Sequence, residues 1–343
     1  MSRPAPVRIG RGGLTAPPIG YGAASLGNLY QALSDDAWPE IVPAAWAGGV
    51  RYFDVAPHYG LGLAERRLGE SLRTLPRAEY VLSTKVGRLL VPQDASGRTD
   101  IENLFDVPAA HRRVRDYSRD GVMRSIEDSL DRLGLDRIDL VLVHDPDHHE
   151  REALDGAFPA LSELRYQGVI TSFGAGMNQS AMLSRFITET DSDVMMVAGR
   201  WTLLDRSAAD DLLPLALERE VSVIAAAIFN SGILATDTPS AGDTFDYGPA
   251  GRAVVERASA IAAVARRHGS SLPELAVQFP LTHPAVAAVV MGGASAEQLA
   301  RNSALMSRPV APALWGELRD RGLIGASPIN MRRAGVRGGQ PVR

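Results

Sequence analysis

A closed (β/α)8 barrel, the TIM-barrel architecture, is the fold this chain predicts, and three observations predict it. Eight short apolar or β-branched runs recur along the 343 residues, stretches with helical apolar spacing separate them, and the runs are nearly continuous rather than alternating. Ile138-Asp139-Leu140-Val141-Leu142-Val143 is typical, reading as a parallel strand buried on both faces. Alternating β and α units call for a parallel sheet, and eight of them suggest that it closes.

The expected strands cover residues 17 to 24, 51 to 56, 80 to 86, 138 to 144, 169 to 175, 194 to 199, 221 to 227 and 287 to 292. Before the first, Gly12-Gly13 divides Val7-Arg8-Ile9 from Leu14-Thr15, a hairpin that plugs the bottom of the barrel. Helical spacing is clear in Val122, Ile126, Leu130 and Leu133, in Leu154, Phe158, Leu161 and Leu164, and in Val255, Ala258, Ile261, Ala262 and Ala265. Ser34-Asp35-Asp36 is expected to cap one helix start, Gly168 and Gly269 to follow two helix ends, and Pro273 to stand in a first turn. A doubly wound nucleotide-binding fold is the rival architecture, but no Gly-x-Gly-x-x-Gly follows a first strand. The pairs Gly20-Tyr-Gly22 and Gly60-Leu-Gly62 read as turns.

Two connections, 88 to 118 and 235 to 250, are too long for simple turns, and both follow strands, so both are expected over the catalytic rim. Phe105 and Tyr117 in the first, and Phe245-Asp246-Tyr247 in the second, offer apolar cover. With no Pro/Gly/Ser linker in the middle, residues 1–326 read as one domain, and the Arg-rich, acid-free tail 327–343 as disordered.

Composition narrows the partners. Lys and Arg total 36 against 40 Asp and Glu, a net charge of −4 that offers no general field for nucleic acid or anionic lipid, so the expected partner is a small molecule. Without cysteine there is no disulfide, thiolate chemistry or cysteine metal site. The N-terminus lacks an apolar core of signal-peptide length and no apolar run reaches a membrane span, so the expectation is a cytoplasmic protein without a membrane partner, monomer or homodimer. The loop bearing His144, Asp145, Asp147, His148 and His149 lacks a defined ligand spacing, and no metal is assigned.

Chemistry concentrates at successive strand ends. Asp54, Tyr59, Lys85 and His144 stand at or just beyond the second, third and fourth runs, and in a barrel those ends face a common centre. Taken singly, Asp54 serves equally as a cap, Lys85 as a rim charge and His144 as a structural histidine; together they form a proton-transfer set. An ammonium beside a phenol favours the phenolate, a carboxylate keeps that ammonium charged, and an imidazole can donate to the reacting oxygen. Tyr59 is then the general base for a hydroxyl losing hydride, or the acid in reverse.

The segments Phe-Asp54-Val-Ala, His-Tyr59-Gly-Leu-Gly, Ser-Thr-Lys85-Val and Leu-Val-His144-Asp-Pro-Asp closely resemble the signature motifs of the aldo-keto reductases, a resemblance running from about residue 7 to residue 325. Val55 and Ala64 depart from the pattern. The resemblance implies catalytic roles for those four residues and a nicotinamide dinucleotide held in extended form without a Rossmann fold. It further implies cofactor contacts from Asn178, from Phe229-Asn230-Ser231-Gly232, and from Gly292-Gly293, Ser295, Gln298 and Asn302. NADPH-preferring members place cations at the positions of Gly292 and Gln298, so NAD is expected and NADP is possible, with Arg301 as the reservation. Ala226 stands where many members stack an aromatic ring on the nicotinamide.

Phe-Asn-Ser-Gly, Phe-Asp-Tyr and Ala-Leu-Trp-Gly-Glu-Leu resemble the branch of aldose 1-dehydrogenases acting on L-fucose, D-arabinose or L-galactose, which also holds pyridoxal 4-dehydrogenase. That implies oxidation of an anomeric hydroxyl to a lactone; the long loops offer Tyr117 and Phe105 as substrate contacts and Asp106, Arg113 and Asp116 as polar candidates, and Trp201 serves equally as a cofactor or substrate contact or as a core residue. A pyridoxal dehydrogenase or a general aldehyde or ketone reductase using NADPH is the enzymatic alternative. A dinucleotide-binding regulatory subunit is the alternative without catalysis.

Overall fold

The computed structural model describes residues 5–325, so the expectation for the tail 327–343 lies outside the described residues. Eight parallel strands close into a barrel: β1 (Ile19–Gly22), β2 (Tyr52–Asp54), β3 (Val81–Val86), β4 (Leu140–His144), β5 (Ser172–Met177), β6 (Val194–Ala198), β7 (Ser222–Ala226) and β8 (Val286–Met291). Closure is made by β8 on β1, with Val289 opposite Ile19 and Met291 opposite Tyr21. Each strand answers one expected run, although β5 begins three residues late because Ile170 and Thr171 belong to the turn into it.

Strand parity sorts the core into two layers. Tyr52, Leu140, Leu142, Val194, Met196, Ile224 and Val290 fill the barrel interior, while Phe53, Val141, Val143 and Phe173 face outward and join Leu68, Ile126, Leu161 and Phe186 under the helices. The hairpin of Val7–Ile9 and Leu14–Ala16 closes the lower end, as expected, with Ile9 and Ala16 joining the interior layer. Its Gly12 is obligatory, since a Cβ there would lie 2.0 Å from the Thr171 carbonyl oxygen.

Helix punctuation matches at Gly168, Gly269 and Pro273, the last inside a capping box of Ser271 and Glu274. Ser34-Asp35-Asp36 is a correction: the helix starts later, at Ile41, after a 3-10 turn Trp38–Glu40, and Ser34 contributes only its carbonyl to the amides of Ala37 and Trp38. Pro39 explains the delay, because proline suits a first turn and disfavours helix in the residue before it. The long connection after β3 is more ordered than a loop, folding into an antiparallel ribbon of Arg88–Pro92 and His111–Arg115. The connection after β7 carries a two-residue ladder, Thr244–Phe245 with Gly248–Pro249. No helix among the described residues is long and apolar enough to cross a membrane.

Candidate active site

Register brings the carboxylate and the ammonium together. Asp54 ends β2 opposite Ser83 of β3, and Lys85, two residues on, projects from the same face. Lys85 Nζ donates to Asp54 Oδ2 at 2.6 Å, to the Val55 carbonyl at 3.2 Å and to Tyr59 Oη at 3.0 Å. Beneath them Ser83 Oγ donates to Asp54 Oδ1 at 2.7 Å, and Tyr52 Oη lies 2.9 Å from Ser83 Oγ. This ladder satisfies both carboxylate oxygens inside the barrel, which a buried ion pair needs if it is not to cost stability.

Tyr59 arrives on the loop after β2 and is held by the turn at Gly60, whose φ is +59° and whose added Cβ would stand 2.3 Å from the Gly27 carbonyl oxygen. His144 is the last residue of β4, its ring centroid 6.0 Å from that of Tyr59 at 86°. Opposite it in register is Gly176, and lack of a side chain there leaves the space above Lys85 Cε open. His144 Nδ1 is buried without a partner and Nε2 lies 3.5 Å from the Asp145 carboxylate, which favours the tautomer with the proton on Nε2. The imidazole is thereby a donor through Nε2.

Burial sets the electrostatics. It drives His144 well below its ordinary pKa, with Arg88, Lys85, His58 and Arg115 acting in the same direction, so the ring is neutral. Burial works against the Lys85 ammonium, but Asp54 and Tyr59 outweigh it and the net shift is upward. For Tyr59 burial raises the phenol pKa, and Lys85 lowers it only in part, leaving it above 10. The expected pull of the ammonium toward the phenolate is present, but desolvation outweighs it, and the free protein holds a neutral phenol.

The remaining expected residues fall into three groups. Phe105 is buried against Tyr59 and His58, at centroid distances of 6.0 and 5.4 Å, and forms one wall of the site. Tyr117 and Trp201 both lie in the core. Tyr117 is buried with Oη donating to the carbonyls of His144 and Asp145, so it braces the strand end instead of facing a substrate. Trp201 packs on Phe279 and His283 with its indole N–H donating to Pro280, a core position, because a buried indole needs one acceptor and found it there. Arg113 grips Asp100 with two hydrogen bonds and donates to the His58 carbonyl at 2.9 Å, which makes it a loop brace.

The third group lines the ends of β5, β7 and β8. Asn178 Nδ2 donates to the Ala198 carbonyl at 3.1 Å. The turn after Ala226 is unusual: Ala227, Asn230 and Ser231 all have positive φ, Gly232 has φ +123°, and the buried Asn230 Oδ1 has no partner. Phe229 packs on the core, and Ser231 Oγ accepts from the Tyr247 amide. After β8, Gly292 faces open space, Ser25 Oγ donates to the Gly293 carbonyl, and buried Asn302 donates to that of Gly292. Ser295 caps the helix Ala296–Ala304, and Gln298 Oε1 accepts from the Ala294 amide. An orphaned amide oxygen beside a left-handed run and a glycine facing empty space fit an extended dinucleotide with its polar groups turned inward.

Sequence reasoning missed Ser83 and Tyr52, which support the carboxylate, and His58, Arg88 and Asp145, which surround the imidazole. Strand parity was the available signal for the first two. Of the others, His58 and Asp145 adjoin Tyr59 and His144 in the sequence, whereas Arg88 arrives on the ribbon, whose pairing puts it opposite Arg115.

The model of the aldo/keto reductase family matches residues 18–320. The chain is 45% identical over 315 residues to D-threo-aldose 1-dehydrogenase of Pseudomonas sp, covering 91% of this chain and 96% of that protein. It is 39% identical to pyridoxal 4-dehydrogenase of Microbacterium luteolum, covering 92% and 97%. Among solved structures, the glycerol dehydrogenase of Gluconobacter oxydans superposes with a TM-score of 0.74 at 20% identity over 98% of each chain. The holo form of an aldo-keto reductase from Bacillus halodurans does so at 0.72 and 24% identity, over 96% of this chain and 99% of that one. At such identity these two likenesses speak for the fold.

Proposed function

The chain belongs to the aldo/keto reductase family and is an NAD(P)-dependent oxidoreductase, and from that premise we propose that it oxidises the anomeric hydroxyl of an aldose to the lactone with NAD. The observation that carries the reading is the hydrogen-bonded chain Asp54–Lys85–Tyr59 beside a neutral His144, in a protein 45% identical to an aldose 1-dehydrogenase. An aldose in ring form presents a hydroxyl on a carbon already bonded to a second oxygen, so loss of its proton and of hydride from that carbon leaves a lactone.

The nicotinamide, when bound, supplies the hydride acceptor. Tyr59 Oη moves the proton of the reacting hydroxyl, Lys85 stabilises negative charge on that phenol oxygen, and Asp54 keeps Lys85 protonated. His144 donates to the same reacting oxygen and fixes its direction. Asn178, Asn230, Ser231 and the backbone of Gly232 are assigned to hold the nicotinamide and pyrophosphate, with Gly292, Gly293, Ser295 and Gln298 toward the adenosine. Phe229 supports that loop from the core, and Asn302 holds the Gly292 turn.

Preference for NAD rests on the two missing cations, since a 2′-phosphate rewards paired positive charge with several hydrogen bonds of about 1.5–3 kcal/mol each. Arg301 makes no ion pair among the described residues and is the group that would extend use to NADP. Steady-state kinetics of the purified protein on a panel of L-fucose, D-arabinose and L-galactose with each cofactor tests both points. A higher kcat/KM with NADP overturns the cofactor assignment, and no turnover of any aldose overturns the substrate. Pyridoxal is included because of the second relative, and because its formyl and neighbouring hydroxymethyl groups can close to the same kind of cyclic hemiacetal.

A further inference from the structure

His58 is a polar ring that the catalytic set does not use. Its centroid lies 5.7 Å from that of His144, 6.0 Å from that of Tyr59 and 5.4 Å from that of Phe105. Nδ1 is enclosed and has no partner, and no hydrogen bond joins Nε2 to any described residue. The backbone under it is fixed, because Arg113 donates to the His58 carbonyl while gripping buried Asp100. The ring is thus held by aromatic contacts and a braced main chain, with its hydrogen-bonding capacity unspent at the edge of the proton-transfer site.

We propose that His58 is a second substrate-binding imidazole, which hydrogen-bonds the hydroxyl on the carbon next to the reacting one and selects substrates that carry it. The inference rests on the reading that the reacting oxygen sits between Tyr59 and His144. Two oxygens on adjacent carbons stand within a hydrogen-bond length of each other, so two imidazoles at this spacing serve a vicinal pair, one oxygen each. Charge supports the role: burial, then Arg88, Arg113, Lys85 and Arg115, push His58 down to about 2. A ring that stays neutral keeps one donor and one acceptor, matching a hydroxyl, and adds no fifth cation to the mouth.

The test compares kcat/KM within two substrate pairs that differ by that hydroxyl: L-fucose against 2-deoxy-L-fucose oxidised with NAD, and glyceraldehyde against 3-hydroxypropanal reduced with NADH. The wild type is expected to favour the hydroxylated member of each pair by about tenfold or more, as a site with a buried polar group rejects the analogue that leaves it unpaired. His58→Phe is expected to lose most of that preference and His58→Gln, which restores an amide near the Nε2 position, to keep part of it. Each readout is a ratio within one protein, so partial unfolding cancels. An undiminished preference in His58→Phe, a wild type with no preference, or equal slowing of both members of a pair overturns the inference. A wild type inactive on both sugars that still prefers glyceraldehyde overturns the aldose reading and leaves the assignment of His58 standing.

Discussion

The two ends of the barrel are built from different materials. At the lower rim, where helices hand the chain back to strands, left-handed turns fall on glycine: Gly49, Gly134 and Gly168. At the upper rim they fall on glycine, as at Gly60, Gly62, Gly87, Gly199 and Gly232, and also on residues with side chains, among them Tyr30, Leu61, Asp145, Ala227, Asn230, Ser231, Asp246 and Tyr247; of the described non-glycine residues with positive φ, Glu220 alone precedes a strand at the lower end. Charge follows the same division. Below, buried Asp193 accepts from Arg11, Arg165 and the Phe173 amide, and Asp139 from Arg77 and the Leu82 amide. Above, His58 Nδ1, His144 Nδ1 and Asn230 Oδ1 are enclosed without partners. Strain persists only where the surrounding structure enforces it, and side-chain-bearing left-handed residues concentrate at the upper rim, whereas unpartnered polar atoms occur at both ends, Arg77 Nε and Ser172 Oγ among those below.

If that division is real, upper-rim substitutions should cost activity and lower-rim ones stability. The largest effect is expected from Tyr59→Phe, which removes one oxygen atom and keeps the ring contacts with Phe105 and His144. It should lower kcat by about 10²- to 10⁴-fold, the usual worth of a proton-transfer group, with Tm within about 1 °C of wild type by calorimetry. Retention of wild-type kcat on the best aldose would break the comparison at its strongest point.

The converse substitution is Asp193→Ala. It strips three donors of their acceptor at a position 1% exposed, so a loss of about 2–4 kcal/mol is expected in urea unfolding. The kcat of the protein that remains folded should stay within about twofold of wild type, because the carboxylate lies at the end of the barrel away from Tyr59. A tenfold fall in kcat with unchanged stability would show the two rims to be coupled.

A pH profile sharpens the comparison without any substitution. Because burial holds the Tyr59 phenol above 10, only its small deprotonated fraction serves as base near neutrality, and that fraction grows tenfold per pH unit. The kcat/KM for oxidation should therefore climb with a slope near one from about pH 6 to pH 9, while aldehyde reduction, which needs the neutral phenol, stays level. A plateau in oxidation below pH 8 would mean that Lys85 lowers the phenol more than burial raises it.

How much of this was legible in the sequence follows the same line. The barrel, the plugging hairpin and the glycine and proline stops were readable because they rest on local rules of periodicity and backbone freedom. Asp54, Tyr59, Lys85 and His144 were readable because strand ends converge in any barrel. What depends on how loops pack was not. Tyr117 and Trp201 resembled ligand contacts by residue type, yet each satisfies a polar tip inside the core. The direction of the Tyr59 shift needed the depth of burial, and the setting of His58 needed the folded ribbon.

The smallest effect probes the turns themselves, one at each end. Gly168, with φ +75°, has nothing within 4 Å of an added Cβ, so Gly168→Ala should cost only the left-handed backbone penalty, about 1 kcal/mol. Ala227, with φ +51°, already bears that penalty beside the Asn230 turn, and Ala227→Gly should relieve it. Greater freedom of glycine in the unfolded chain offsets part of the relief, so the net gain is at most about 1 kcal/mol. The two are read by urea unfolding of the free protein and by fluorescence titration with NADH. If the strain at Ala227 serves to preshape the turn for a dinucleotide, the gain in stability should come with weaker NADH binding, whereas Gly168→Ala should leave binding untouched. A stabilised Ala227→Gly with unchanged affinity would mean that the left-handed run at the upper rim is a by-product of closing the barrel and contributes nothing to function.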